Sequence, residues 1–456
     1  MSDTICAIST APGRAALGII RLSGDGAIEA AERVFRPAGG GRLRDRAPHR
    51  LVLGEAVDGE GQMLDQVLAV YSRAPHSFTG EDMAELQGHG SPAALQEILR
   101  TLVKQGVRPA GPGEFSRRAF LNGRLDLTEA EAIMDIIDSA SPLALRNAAR
   151  QLQGAVTDRT EEVYRLLLGL LAHFQAVVDY PEEGVEPLEA GEIAGQLEAA
   201  SHRLGKLLRS YERGVMLREG VKCAILGRPN VGKSSLLNAL LGTERAIVTP
   251  EAGTTRDTLE ETLHLGGLAL RLIDTAGLRE TDSQAEAEGV RRARAAAGEA
   301  RLVLAVFDAS RPLDAEDEEV IAAALAAPGA VAILNKCDLP RQLDRALLEA
   351  VFPLVVDLSA RTGQGLEQLE QAVTGLLAGE EPLPLGEILT NERQYAAILR
   401  AAEAVDRAAA ALRAGFTPDA VLTDSEDALA ALGEVSGRSL REDLVEEVFS
   451  RFCVGK

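Results

Sequence analysis

The stretch Gly227–Ser235, GRPNVGKSS, constrains this chain more than any other. It matches G-x-x-x-x-G-K-S and stands between an apolar run, KCAIL, and a helical one, SLLNALLG. Such a loop works only where a strand ends and a helix begins. Its glycines let backbone N–H groups wrap phosphate oxygens at the helix N-terminus, where the helix dipole favours anions. The surrounding chain should therefore be an α/β unit with a mostly parallel sheet. Residues 221–378 read that way: VKCAILG, LALRLIDTAG, RLVLAVFDAS, AVAILNKCD and PLVVDLSA alternate with helical segments. In the loop, Asn230, Val231, Gly232, Lys233, Ser234 and Ser235 are the expected nucleotide contacts. Lys233 can reach the β and γ phosphates, and the Ser234 hydroxyl can ligate Mg²⁺.

Later elements follow in the order a GTPase requires. Asp274, Thr275, Ala276 and Gly277 (DTAG) follow an apolar strand, so Asp274 can hold Mg²⁺ through water and the Gly277 N–H can meet the γ-phosphate. Asn335, Lys336 and Asp338 (NKCD) follow another strand. Asp338 would accept from guanine N1–H and the 2-amino group, donors that adenine lacks, and a site built for them rejects their absence strongly. Ser359, Ala360 and Arg361 suit backbone contact with the guanine carbonyl. GTP rather than ATP is the expected nucleotide. TPEAGTTRD, with Thr249, Pro250, Glu251, Ala252, Gly253, Thr254 and Thr255, occupies the switch I position, and Thr255 is the second expected protein ligand to Mg²⁺.

One part is missing. Leu278 follows DTAG where Ras carries the glutamine that orients the attacking water, so hydrolysis must recruit a carboxylate from RETDSQAEAEGV or a cation. Asn230 could ligate a monovalent ion against the phosphates, although an asparagine in such a loop is more often a turn residue.

The rest of the chain has a different texture. Residues 1–118 mix strand-like runs (TICAIST, LGIIRLSG, LVLGEAVDGEGQMLDQVLAVY) with helical ones, so an α+β domain is expected, with a hairpin at Asp58-Gly59 and Gly61. Long helical segments fill 119–217, and helices return over 379–456. The economical arrangement packs these two stretches into one helical domain, with the unit at 218–378 inserted between them, because domain termini commonly lie close together. Four independent domains in a row are the alternative. The fold class is thus multidomain α/β.

The 456 residues carry a formal net charge of -21, which repels phosphate backbones at long range and argues against a general nucleic-acid binder. Contact with RNA would need a local basic patch such as RLRDRAPHR (Arg42–Arg50) or SRRAFLNGR, or a partner protein. The former reads more simply as a solvated loop. Four cysteines without C-x-x-C spacing indicate neither a zinc site nor a disulfide framework. No run approaches the ~18 apolar residues of a membrane span, so a soluble, unprocessed chain in a reducing cytoplasm is expected.

Together GIIRLSG, SFTGEDMAELQGHG, PGEFSRRAFLNGRLDLTEAEAI, IVTPEAGTTRD and the final FCVGK resemble the bacterial tRNA uridine-modification GTPase family called MnmE or TrmE, over nearly the whole chain. The resemblance implies a homodimer joined through the N-terminal domain and an FAD-dependent partner of the GidA/MnmG type, in a heterotetramer. It implies installation of an aminomethyl-type group on C5 of the wobble uridine, position 34, of certain tRNAs. Its G domains meet in a K⁺-dependent way, with Asn230, Thr249, Glu251 (through its backbone carbonyl) and Thr254 as K⁺ positions. Glu286, or by a slip Glu288, would orient the catalytic water. A 5-formyl-tetrahydrofolate, the one-carbon donor, would be held by Arg21, Glu85, Arg124 and Lys456. Glu85 could accept two hydrogen bonds from a pterin amide edge, and the cations suit the folate carboxylates. Arg124 stands where the family commonly has lysine. Without the resemblance these four residues are ordinary surface or structural groups.

Two other readings compete: a GTP-switched ribosome-assembly or RNA-binding module, and a prenylated membrane switch. The CVGK ending fits a prenylation box poorly, because Gly455 is not aliphatic, Lys456 is not a usual final residue, and REDLVEEVF before it is acidic. The helix LREDLVEEVFSRF is expected instead to carry the tail back to the N-terminal domain.

Overall fold

The computed structural model describes residues 3–179, 188–243, 261–273, 295, 297–378, 384–416, 418–439, 445 and 448–456. They form two compact units, Met1–Met134 with Leu429–Lys456, and Asp135–Ala428. The architecture is multidomain α/β.

In the first unit, β1 (Ile5–Ile8), β2 (Ala15–Ser23), β3 (Phe35–Pro37), β4 (Val52–Val57), β5 (Met63–Ser72), β6 (Met83–Gly90) and β7 (Arg108–Pro109) form one sheet. Its order is β3-β4-β5-β6-β2-β1-β7, antiparallel except for β1 against β7. The β4–β5 hairpin turns where Asp58 Oδ1 accepts the amides of Glu60 and Gln62 and Gly61 takes φ 82°. Helices Ala27–Val34 and Pro92–Lys104 cover one face, burying Ile20, Leu22, Leu86, Ile98 and Leu102. Ser91 caps the second helix and Pro92 opens it, both favourable at a helix start. On the other face Leu53 lies opposite Leu68, and Leu53, Met63 and Leu68 remain exposed.

Residues 429–456 group with this unit, the division falling within helix Pro418–Ser436. Val445, Phe449 and Phe452 pack with Leu127 and Ala130. Beyond them Val454 bridges to Pro112, the Gly113 amide donates to the Cys453 carbonyl (3.2 Å) and Ser9 Oγ to the Gly455 carbonyl (3.0 Å). Gly113 has φ 61°, and a Cβ there would stand 2.5 Å from the Phe449 carbonyl oxygen, so only glycine lets the tail approach.

In the second unit, β8 (Val221–Leu226), β9 (Glu261–Leu265), β10 (Leu268–Leu272), β11 (Leu302–Asp308), β12 (Gly329–Asn335) and β13 (Leu354–Asp357) make a sheet ordered β13-β12-β11-β8-β10-β9. All neighbours are parallel except β9 and β10. β11 is apolar at every position before its final Asp308, and β8 at every position but Lys222, because both faces are covered. Cys223, Ile225, Leu304 and Val306 join one core, and Ala224, Leu226, Ala305 and Phe307 the other. Helices Ala190–Glu219 and Glu392–Arg413, which precede and follow this sheet in sequence, pack on each other, with Tyr211 and Tyr395 stacked at 4.3 Å. The returning segment is held by buried amides: Asn147 Nδ2 and Gln151 Nε2 both donate to the Ile388 carbonyl, and Ser210 Oγ accepts from the Leu389 amide.

Candidate guanine-nucleotide site

The loop after β8 turns through Asn230 (φ 63°) and Gly232 (φ 101°) into helix Lys233–Thr243. Its glycines are required by contact as well as by φ. A Cβ at Gly227 would stand 2.5 Å from the Val306 carbonyl oxygen, and one at Gly232 would overlap Asn335 Nδ2. The loop is therefore a backbone cradle pressed against the ends of β11 and β12. Lys233 folds back over it, donating from Nζ to the carbonyls of Gly227 (2.7 Å) and Arg228 (2.8 Å). Burial lowers its pKa, since desolvation disfavours the ammonium.

The base-reading motif meets this loop directly. Asn335 Nδ2 donates to the Val231 carbonyl (2.8 Å) while Oδ1 accepts the Ala360 amide (3.0 Å), so one buried side chain joins the phosphate loop to the segment after β13. Lys336, with φ 64°, donates to the Asn230 carbonyl (2.9 Å). Asp338 accepts from Ser359 Oγ (2.6 Å) and Arg361 Nη2 (2.7 Å). The Ser359 hydroxyl, helped by Arg361, holds the Asp338 carboxyl below its usual range. Asn230 to Ser235, Asn335, Lys336, Asp338 and Ser359 to Arg361 thus gather at the C-terminal edge of the sheet, where open α/β sheets bind ligands. Ser234 is the second residue of the loop's helix. Thr249 to Thr255, Asp274 to Gly277, Leu278, Glu286 and Glu288 lie outside the described residues.

In the first unit, Arg21 Nε and Glu85 Oε1 pair at 2.9 Å from opposed positions on β2 and β6. The Arg21 guanidinium lies 5.7 Å from the Phe78 ring centroid and 5.8 Å from that of Phe115. Phe115 in turn donates its amide to the Lys456 carbonyl (3.2 Å), so the final residue lies one hydrogen bond from a residue whose ring Arg21 faces. Arg124 is near Gly80: a Cβ on that glycine would be 3.2 Å from Arg124 Cγ. Beside them Arg118 pairs with Asp3, Glu81 and Glu114. This uses up the central arginine of the SRRAFLNGR cluster. In the other cluster Arg44 pairs with Glu29 and Glu32.

Two family models match this chain. Residues 4–124 match the model of the GTP-binding protein TrmE N-terminus, and residues 127–453 match that of the MnmE helical domain. The tRNA modification GTPase MnmE of Thermoanaerobacter pseudethanolicus is 42% identical over 100% of this chain and 99% of its own. That of Thermus thermophilus is 44% identical over 100% of both chains. The chain belongs to the MnmE family. Among solved structures, a point variant of Aquifex aeolicus Era bound to GDP.AlF4- is 30% identical over 40% of this chain and 66% of its own, at a TM-score of 0.27.

Two charged groups of this MnmE-family chain are absent from the sequence reading. Asp308 closes β11 and accepts from Lys336 Nζ at 2.6 Å. Arg228 inside the phosphate loop pairs with Asp314, Glu316 and Asp317 around the start of helix Ala315–Ala324. For Asp308 the sequence did hold a signal: a lone carboxylate ending an otherwise apolar central strand needs a partner. For Arg228 there was none.

Proposed function

We propose that this member of a tRNA modification GTPase family hydrolyses GTP to drive modification of the wobble uridine at C5. The observation that supports the nucleotide most directly is the joining of the phosphate loop to the base-reading motif through Asn335 and Lys336. Backbone amides of the cradle would take the phosphate oxygens, Lys233 would leave its two carbonyl acceptors for the β and γ phosphates, and Asp338 would exchange its Arg361 partner for the guanine edge. Mg²⁺, when bound, would neutralise phosphate charge. The cradle, with no Cβ at Gly227 or Gly232 and the Lys233 ammonium over it, fits a Mg²⁺–nucleotide complex, with Ser234 and Thr255 as its protein ligands. K⁺ would be held by Asn230, Thr249, Glu251 and Thr254, and Glu286 would orient the water that Leu278 cannot.

In the first unit, the Arg21–Glu85 pair, flanked by two aromatic rings and the returning tail, supports the reading of a folate site. A planar pterin needs an amide-edge partner and aromatic walls, and Arg124 and Lys456 would add charge for the folate carboxylates. The exposed apolar face of β4 and β5 supports homodimerisation through this unit. The FAD-dependent partner and tRNA complete the proposed assembly. Among the described residues no helix is long and apolar enough to cross a membrane.

Reconstitution with the flavoprotein, GTP, K⁺, a formyl-tetrahydrofolate and unmodified tRNA should yield a C5-substituted wobble uridine by nucleoside mass spectrometry. Unmodified tRNA from components that each bind their ligands would refute the reading and leave a GTP-switched RNA-binding module. Replacing K⁺ by Na⁺ should slow GTP hydrolysis, and equal rates would remove K⁺ from the mechanism.

A further inference from the structure

Asp308 lies at the end of the central strand β11, only 8% exposed, and no nucleotide-binding motif includes it. Three donors converge on its carboxylate: the Ser310 amide (3.0 Å) and hydroxyl (2.6 Å) on Oδ1, and Lys336 Nζ (2.6 Å) on Oδ2. Burial alone would raise its pKa, but the Lys336 ammonium and the Ser310 donors outweigh it and hold the group ionised. The same ammonium reaches the Asn230 carbonyl at 2.9 Å. Lys336 and Asn230 both have left-handed backbones, at φ 64° and 63°, a conformation that asparagine visits readily but that a lysine keeps only where its surroundings over-determine it. Asp308 is the fixed end of that arrangement. It is built into the sheet, whereas Lys336 and Asn230 sit on loops.

We propose that Asp308 is a positioning residue of the GTP site, which by anchoring the Lys336 ammonium fixes the Asn230 carbonyl and keeps the phosphate loop and the guanine-reading loop in register. It touches no nucleotide atom itself. It acts on ground-state binding, because the loops it aligns grip the base and the phosphates shared by GDP and GTP. Replacing the carboxylate by a neutral amide keeps the shape but leaves the Lys336 ammonium with a weaker partner in a half-buried place, so the carbonyl it holds loosens.

The test measures binding of fluorescent GDP and a non-hydrolysable GTP analogue to the full chain, as wild type, Asp308→Asn, Lys336→Met and the double variant, with steady-state hydrolysis in parallel. Asp308→Asn should weaken both nucleotides by about tenfold, the range for a charge-assisted hydrogen bond, and raise KM with kcat within about twofold. The double variant should bind no worse than Lys336→Met alone, because Asp308 acts only through Lys336. A folded Asp308→Asn with wild-type affinity would overturn the proposal. So would a penalty that persists undiminished in the Lys336→Met background, or a fall in kcat at unchanged binding. If Asp308→Asn does not fold, Ser310→Ala takes its place by removing one donor from the same carboxylate. It should weaken binding about threefold in the wild-type background and not in Lys336→Met, and any other pattern overturns the proposal.

Discussion

The two candidate sites are built in opposite ways. At the candidate guanine-nucleotide site the gathered residues lie on short loops after β8, β12 and β13, joined largely through backbone carbonyls and amides, so each part is a contiguous stretch of sequence. In the first unit the candidate groups are single residues from β2, β6, the segment after helix Glu114–Leu121 and the chain's last position; strand register pairs Arg21 with Glu85, the returning tail brings the Lys456 backbone to Phe115, and Arg124 lies by Gly80. The difference teaches that a site which uses the main chain constrains a run of residue types, above all glycine. A site that uses scattered side chains constrains each position separately.

If this contrast holds, changes at the nucleotide site should act on ligand and leave folding of the first unit alone, and the reverse. The largest effect is expected from Asp338→Ala, which removes the acceptor for guanine donors. Discrimination of GTP over ATP should fall by about 10⁴-fold, read by competition binding, and a variant that still excludes ATP would show that the base is read elsewhere. Next, Gly232→Ala forces a side chain into a left-handed position and onto Asn335. Nucleotide affinity should drop at least about 100-fold, with the melting of the first unit unchanged.

In the first unit Arg118→Met removes the arginine facing Glu81 and one of the two facing Glu114, whose side chains are 13% and 16% exposed. It should cost about 2 kcal/mol in denaturant unfolding of that unit, less than for a fully buried pair because Asp3 is open to solvent, and leave GTP affinity untouched. A loss of GTP binding in this variant would break the comparison.

The smallest effect is one of pH. Burial would raise the Glu114 pKa, but Arg108, the Gly111 amide and Arg118 outweigh it and hold it below the ordinary value; Asp3 is lowered chiefly by its bond to Arg108. Groups with depressed folded pKa values stabilise above their unfolded values, about 4, and lose that contribution as pH falls through the folded values. Melting of the first unit should therefore be flat from pH 7 to about 5 and drop below about 4, with a shallower drop in Arg118→Met.

In the second unit the strand before GRPNVGKSS and the helix after it were legible from that stretch, and the other strands from their own apolar runs. The hairpin at Asp58 was legible too, because Asp and Gly there have a mechanism for turning the chain. Arg228 was not, since an arginine in the loop gives no hint that Asp314 and Asp317 stand across from it. The return of the tail to the first unit was expected from LREDLVEEVFSRF, but its seating was not, since that depends on Gly113 and Phe449 meeting across a long sequence separation.

The sequence by itself determined the α/β character of residues 221–378 and the place of the phosphate loop between a strand and a helix, because loop conformation and backbone hydrogen bonding are local and leave their mark in residue type. Only the tertiary structure decided that Arg21 faces Glu85, that Lys456 reaches Phe115, and that Asp308 holds Lys336. Those are meetings of groups across strands and loops, set by register and packing, and no single segment carries them.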